Sequence, residues 1–274
     1  MKKWIFCAAL WLASATHAHE FWMTPDRFSP PVNAPVALSL WVGENFVGEP
    51  VGFGQPLAAS MRWHSQRGNT DLTPQLPPDL DQSSVAMPFD RPGTQLIALD
   101  TQPFTIELSA DKFTAYLREE GLERVIARRE ANGQANAPGR ERYRRHVKTL
   151  LRVGGKTDAT FGVRTGQTLE IVPLVNPQLL KPGGALALKI FFKDKPLQGA
   201  LVKVWNHRGQ QLNVLRTRTD AAGNSTTILP WGGVWMVSVV HMEQATDNRG
   251  SDWDSHWGNL TFEVPQASSS FRQP

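Results

Sequence analysis

Seven histidines are the side chains in this chain best suited to chemistry, and His19 is the most suggestive of them. If the chain is cut after Ala18, His19 becomes the new N-terminus and offers an amine and an imidazole to one divalent metal ion. The free amine titrates near ~7.7–8.0, so such a chelate would tighten as the pH rises past neutrality. His241 ends the apolar run Trp235–Val240 and is the expected second side chain. His256, between Ser255 and Trp257, and His64, after Trp63, are further candidate ligands, with Glu20 and Asp254 as possible oxygen donors. His146 and His207 stand among polar and basic neighbours and are expected on the surface. The one cysteine, Cys7, precedes any such cut, so a metal site must use nitrogen and oxygen ligands. These spacings form no recognised metal motif by themselves.

Other chemistries find little support. There is no Gly-x-Ser-x-Gly elbow, no cysteine nucleophile after the leader and no phosphate loop of the Gly-x4-Gly-Lys-Ser/Thr type. Glu119 and Glu120 are adjacent on a predicted helix and cannot face each other as an acid–base pair. The chain is read as a non-enzyme on these grounds.

Met1-Lys2-Lys3, the apolar run Trp4–Ala13 and the small residues up to Ala18 read as a secretory signal over residues 1–18. Ala13-Ser14-Ala15 is a rival cleavage site and would leave Thr16 first. The apolar run is short of the ~20 residues that span a bilayer, so no membrane insertion of the exported chain is expected. Trp-Ile-Phe before Cys7 does not suit a lipid anchor. Export implies the periplasm. Losing Lys2 and Lys3 with the leader lowers the formal net charge from +4 to +2, too small a bias to imply nucleic acid as a partner.

The elements that must position these residues are mainly strands. Val36, Leu38, Leu40 and Val42 alternate in a strand-like period of two, and Met61–His64 and Gln95–Leu99 are weaker strand candidates. Residues 73–93 are rich in Pro, Asp, Gln and Ser and read as a loop. Ser109 or Asp111 can cap a helix running from about Lys112 to Arg129, with Phe113, Tyr116, Leu117, Leu122, Val125 and Ile126 at helical spacing. The Arg118–Lys148 stretch is basic and reads as a solvated surface. Tyr143, Val147, Leu151 and Val153 share one parity of a strand, with His146, Lys148 and Arg152 on the other; a short helix over Arg140–Lys148 is the alternative reading. Six further strands follow: Thr168–Leu174, Leu186–Phe192, Ala200–Trp205, Ser225–Leu229, Val234–His241 and Leu260–Val264. Two β-sandwich-like domains, 19–108 and 154–265, are therefore expected around a helical and basic connection at 109–153, with a disordered tail at 266–274. Most tryptophans should be core.

Several phrases resemble a known family. They are His19-Glu20-Phe21-Trp22, Gly43-Glu44-Asn45-Phe46, Glu141-Arg142-Tyr143-Arg144-Arg145-His146, Asn176-Pro177, Thr219-Asp220-Ala221-Ala222-Gly223, Val240-His241 and Trp257-Gly258-Asn259-Leu260. The family consists of periplasmic components of nickel/cobalt transport systems, long filed as a domain of unknown function. The half from Leu186 to His241 also resembles a transthyretin-like or carboxypeptidase-regulatory sandwich. The resemblance implies a nickel or cobalt ligand set that includes His19 and a histidine at 241. It also implies a partner such as an inner-membrane metal transporter or an outer-membrane receptor. Affinity alone would favour copper. Two other functions fit the residues: a copper oxidase or oxygenase with an N-terminal histidine brace, and a metal-independent adhesion module using exposed Trp253 and Trp257.

Overall fold

The computed structural model describes residues 19–247 and 250–266. The expected signal peptide and nearly all of the expected tail lie outside the described residues. In chain order the strands are β1 (Glu20–Pro25), β2 (Pro35–Glu44), β3 (Val47–Val51), β4 (Ala58–Ser65), β5 (Gly68–Asp71), β6 (Ser84–Pro88), β7 (Gly93–Thr101) and β8 (Phe104–Leu108). Two helices follow, α1 (Ala110–Glu119) and α2 (Glu123–Ala131), and then the long β9 (Gly139–Val153). The second half supplies β10 (Leu169–Pro173), β11 (Gly184–Phe192), β12 (Lys195–Pro196), β13 (Leu201–Arg208), β14 (Gln211–Arg218), β15 (Asn224–Leu229), β16 (Gly233–Gln244) and β17 (Trp253–Val264).

The protein is mainly β and sandwich-like, as the alternation of apolar residues predicts. Its strands form three sheets. A central sheet of nine runs β14-β13-β16-β17-β9-β7-β4-β5, with β8 also paired to β9. The contact of β17 with β9 is its parallel pairing. One four-stranded sheet holds β1, β2, β3 and β6, and the other holds β10, β11, β12 and β15. Strands from both sides of the expected boundary at 153/154 hydrogen-bond within the one central sheet, so the two sandwich layers share it.

The two small sheets cover opposite faces of the central one. Val147, Leu151 and Val153 of β9 pack with Met23, Leu38, Leu40 and Phe89 of the N-terminal sheet region. Leu150, of opposite parity on the same strand, packs with Ile171, Leu188, Trp235 and Leu260. A strand covered on both faces loses the polar parity that marks a solvated side. Trp235, wholly buried in this second layer, is one of its largest contributions. Burying a side chain of Leu or Phe size is worth ~1.5–3 kcal/mol.

The helical insertion is two helices, not one. Gly121 takes φ +67°, a left-handed conformation that ends α1, and a Cβ there would lie 2.8 Å from Leu201 Cβ. Ser109 does not cap the backbone; its hydroxyl turns to Asp111 instead. Phe113, Tyr116 and Leu117 of α1 bury against Val240, Met242, Trp253 and Trp257. Trp253 and Trp257 are therefore core, 2% and 7% exposed, and not the exposed contacts an adhesion module would need. The stretch 73–93 is less irregular than expected, because Ser84–Pro88 forms β6 against β2.

Candidate histidine cluster

The feature that most resembles built chemistry lies between the central sheet and the β10–β11 layer, where one chain of hydrogen bonds links three side chains from three strands. Asp100, at the end of β7, pairs in register with His146 of β9, and Asp100 Oδ1 lies 2.6 Å from His146 Nδ1. His146 Nε2 lies 2.9 Å from Nδ1 of His256 on β17. Gln167 Nε2 donates to the same Asp100 Oδ1 at 3.0 Å and to Leu99 O at 3.1 Å. His146 and His256 are 4% and 5% exposed, and their ring planes differ by only 11°.

The chemistry of the donors fixes the tautomers. An ionised carboxylate only accepts, so with both rings neutral His146 carries its proton on Nδ1 and accepts at Nε2. His256 must then hold its proton on Nδ1, leaving its Nε2 as a bare lone pair. Among the described residues that Nε2 has no hydrogen-bond partner. Burial, His146, Arg144, His241 and Lys193 all oppose a positive charge on His256 and pull its pKa down to about 3.

His241 stands directly opposite His256 in the antiparallel β16–β17 register. Cross-strand neighbours of this kind hold their Cβ atoms ~4.5–5.5 Å apart. Burial lowers the His241 pKa, with Glu243 opposing and Lys193 and Arg124 reinforcing the effect. Phe192, at the end of β11, covers the pair, its ring centroid 4.2 Å from that of His241 and 5.2 Å from that of His256. Behind Phe192 the chain turns through Lys193 and Asp194, both at positive φ, and Lys193 pairs with Glu243.

The structure thus brings His241 and His256 together and joins them to His146, which the sequence placed on the surface. His146 has the polar parity of β9, but that face meets the β10–β11 layer. The polar residues on it are bonded and not solvated. Lys148, two residues on, is likewise fully buried and pairs with Glu170 at 2.7 Å. Asp100 was also missed; a lone acid ending the apolar run Leu96–Leu99 was its only signal.

His19 is not part of this cluster. It is exposed, with Nε2 3.6 Å from Glu44 Oε1. The next residue, Glu20, bonds Ser238 and Asn259, which point to the N-terminal sheet, whereas His241 packs on Phe192 on the opposite face. The expected joint site of His19 and His241, and a brace built on the same pair, are not assembled. His64 is also separate, at the outer end of β4. Glu20 and Asp254 are committed elsewhere: Glu20 to Lys203 at 3.0 Å, and Asp254 to a bidentate contact with Arg142 at 2.6 and 2.8 Å. His207 is half-buried, with Nε2 2.8 Å from Asn45 O.

As a metal centre the cluster is incomplete. The described residues contain no group of three or more His, Cys, Asp or Glu side chains arranged to hold a metal ion. The interior link between His146 and His256 is a hydrogen bond, which leaves no room for an ion between them. What fits a metal is its outer end. A ligating histidine characteristically hydrogen-bonds through its other nitrogen to an orienting group. His256 is held in that way, with His241 beside it as a second imidazole.

A family model described as a domain of unknown function, DUF4198, matches residues 16–243, and the chain belongs to that family. No curated protein matches the sequence. Among solved structures, trypsin-activated alpha-2-macroglobulin from Escherichia coli aligns at 9% identity over 90% of this chain and 16% of that one, with a TM-score of 0.21. The native conformation of E. coli alpha-2-macroglobulin aligns at 10% identity over 91% and 17%, with a TM-score of 0.22. The chain spans about a sixth of the length of those structures, and at such TM-scores the likeness carries no argument.

Proposed function

We propose that this DUF4198 protein is an exported, periplasmic binder of a divalent transition metal, with His256 and His241 as its imidazole donors. The observation that carries this reading is the Asp100–His146–His256 chain. It fixes the tautomer of a buried histidine so that an unbonded nitrogen is presented beside a second imidazole. Burial keeps both rings neutral, the form that binds a metal.

Two protein donors leave the remaining positions of the ion to water or to donors from another molecule. A site of that kind suits exchange more than permanent retention, consistent with handing an ion to a transporter or receiving one from an outer-membrane receptor. Imidazole donors suit nickel, cobalt, copper and zinc, with copper favoured by affinity. Nickel or cobalt is supported only by the sequence resemblance to nickel/cobalt transport components.

Calorimetric titration of the protein processed after Ala18 with Ni²⁺, Co²⁺ and Cu²⁺ tests the reading. One ion should bind per chain. His256→Ala and His241→Ala should each weaken it by about 10–100-fold or more, as loss of a ligand or its close support does. Unchanged affinity in both variants would overturn the assignment.

A further inference from the structure

A second polar site, with its own lining residues, lies on the same face of the sheet. A cleft of about 300 Å³ opens between the β4–β5 hairpin and residues 163–165, and its walls carry Arg62, His64, Ser65, Asn69, Arg164 and Thr165. The two guanidinium groups are held in place by their neighbours. Arg62 Nη1 donates to Asn69 Oδ1 at 2.7 Å. Arg164 lies over the Phe191 ring at 3.6 Å, donates through Nε to Glu170 at 2.7 Å and through Nη2 to Asp194 at 2.8 Å.

His64 is the residue these contacts leave unexplained. It is only 6% exposed, yet its Nε2 is buried with no hydrogen-bond partner. A buried polar atom without a partner costs roughly 1–3 kcal/mol and is normally retained for a reason. The charges that act on its ring are mostly positive: Lys148 from β9 and Arg62 from its own strand, with Glu170 from β10 in opposition. Glu170 is itself shared by Lys148, Arg164 and the Thr165 hydroxyl. Asp71, at the end of β5, bonds Thr73.

We propose that this cleft binds a small oxyanion group, a carboxylate or a phosphate-type anion carried by a solute, between Arg62, Arg164 and His64. Preset guanidinium groups are the usual recognition device for such anions, since their N–H groups match planar and tetrahedral oxygens in pairs. The cleft is larger than a bare anion, so the anion would be one end of a small molecule. A bound anion would also offset the cations around His64. That ring is held below the ordinary histidine pKa, first by burial and then by Lys148 and Arg62, and it would regain basicity on binding.

The test is independent of any metal. The His64 ring signals of the isotopically labelled protein are followed by NMR in the presence of a chelator. Sodium acetate, and in a second series inorganic phosphate, is added at ionic strength held constant with chloride. A saturable shift of the His64 signals, with a rise in the His64 pKa, is expected from at least one anion. Acetate alone would assign a carboxylate, phosphate alone a tetrahedral anion, and both the shared group. Arg62→Gln, at an exposed position that should not disturb folding, should weaken the binding by about tenfold, the effect of losing one hydrogen bond to a charged group. Arg27→Gln, at a surface arginine that pairs with its neighbour Asp26, should leave it unchanged. No saturable shift with either anion, or equal affinity in Arg62→Gln, would overturn the proposal.

Discussion

Glu20 and Lys203 form a buried ion pair at 3.0 Å, joining the start of the first strand to β13, one strand in from an edge of the central sheet. Lys203 Nζ also lies 2.7 Å from Glu120 at the end of α1, so one ammonium serves two carboxylates. Ser238 and Asn259 donate further hydrogen bonds to Glu20. The His-Glu-Phe-Trp opening therefore has a structural role through its glutamate, which fastens the N-terminal strand across the sheet.

One lysine cannot neutralise both acids. Burial, with the Glu20 charge added and only partly offset by Lys203, raises the Glu120 pKa from 4.5 to about 8. A group whose folded pKa is raised binds more protons in the fold than when unfolded, so stability is lost as pH rises between those values. Denaturation midpoints should fall from about pH 4.5 to about pH 8, and Glu120→Gln should flatten that slope. A slope unaltered in Glu120→Gln would show that Glu120 is ionised in the fold. Lys203→Met should destabilise strongly at pH 8, because it leaves two buried carboxylates without their cation; breaking a buried pair costs ~3–5 kcal/mol.

The Lys148–Glu170 pair has the opposite sign. Burial alone would raise the Glu170 pKa, but Lys148 and Arg164 outweigh it and hold it at about 2. Its contribution is present above the unfolded carboxylate value of 4.5 and is lost as pH falls from there toward 2. Glu170→Gln should lower stability at neutral pH by roughly 3–5 kcal/mol by stranding Lys148, and should remove this acid limb from a plot of unfolding free energy against pH. An acid limb of the same steepness in Glu170→Gln would refute the assignment.

The sequence showed the strands that alternate or run apolar throughout, and hid those whose buried positions carry polar residues. Val36 to Val42 alternate and lie in β2, and the expected strand at 234–241 is part of β16. The final strand was read as starting at Leu260, but β17 begins at Trp253. Residues 253–259 look like a loop because Asp254, Ser255, His256 and Asn259 are polar. Each bonds a distant partner: Arg142, Glu141, His146 and Glu20. The parallel pairing of β17 with β9 creates most of those partnerships, and no periodicity encodes a pairing between strands so far apart. His146 was misplaced for the same reason. Its parity was read as outward, when a second layer lies on that side. Edge strand β14, partly exposed and polar, carried too little apolar alternation to be read at all.

The histidine cluster makes a prediction that separates orientation from ligation. Asp100 does not reach His256 directly; it acts through His146, by accepting the Nδ1 proton at 2.6 Å. Asp100→Asn removes the charge but nearly preserves the shape. The amide can also donate, so it no longer forces His146 into the Nδ1–H tautomer, and His256 loses its fixed presentation of Nε2. Removing an orienting partner behind a metal-ligating histidine typically weakens binding by 10–100-fold. Asp100→Asn should fall in that range for the tightest of Ni²⁺, Co²⁺ and Cu²⁺ while leaving the thermal midpoint nearly unchanged. The His256 ring nitrogen signals should move toward a mixture of tautomers even without metal, an effect that a merely structural role for Asp100 would not produce. His19→Ala, on the opposite face of the sheet, should change neither readout. If His19→Ala abolishes binding and Asp100→Asn leaves it intact, the metal is held at the N-terminus beside Glu44, and the buried histidines serve only to join the strands.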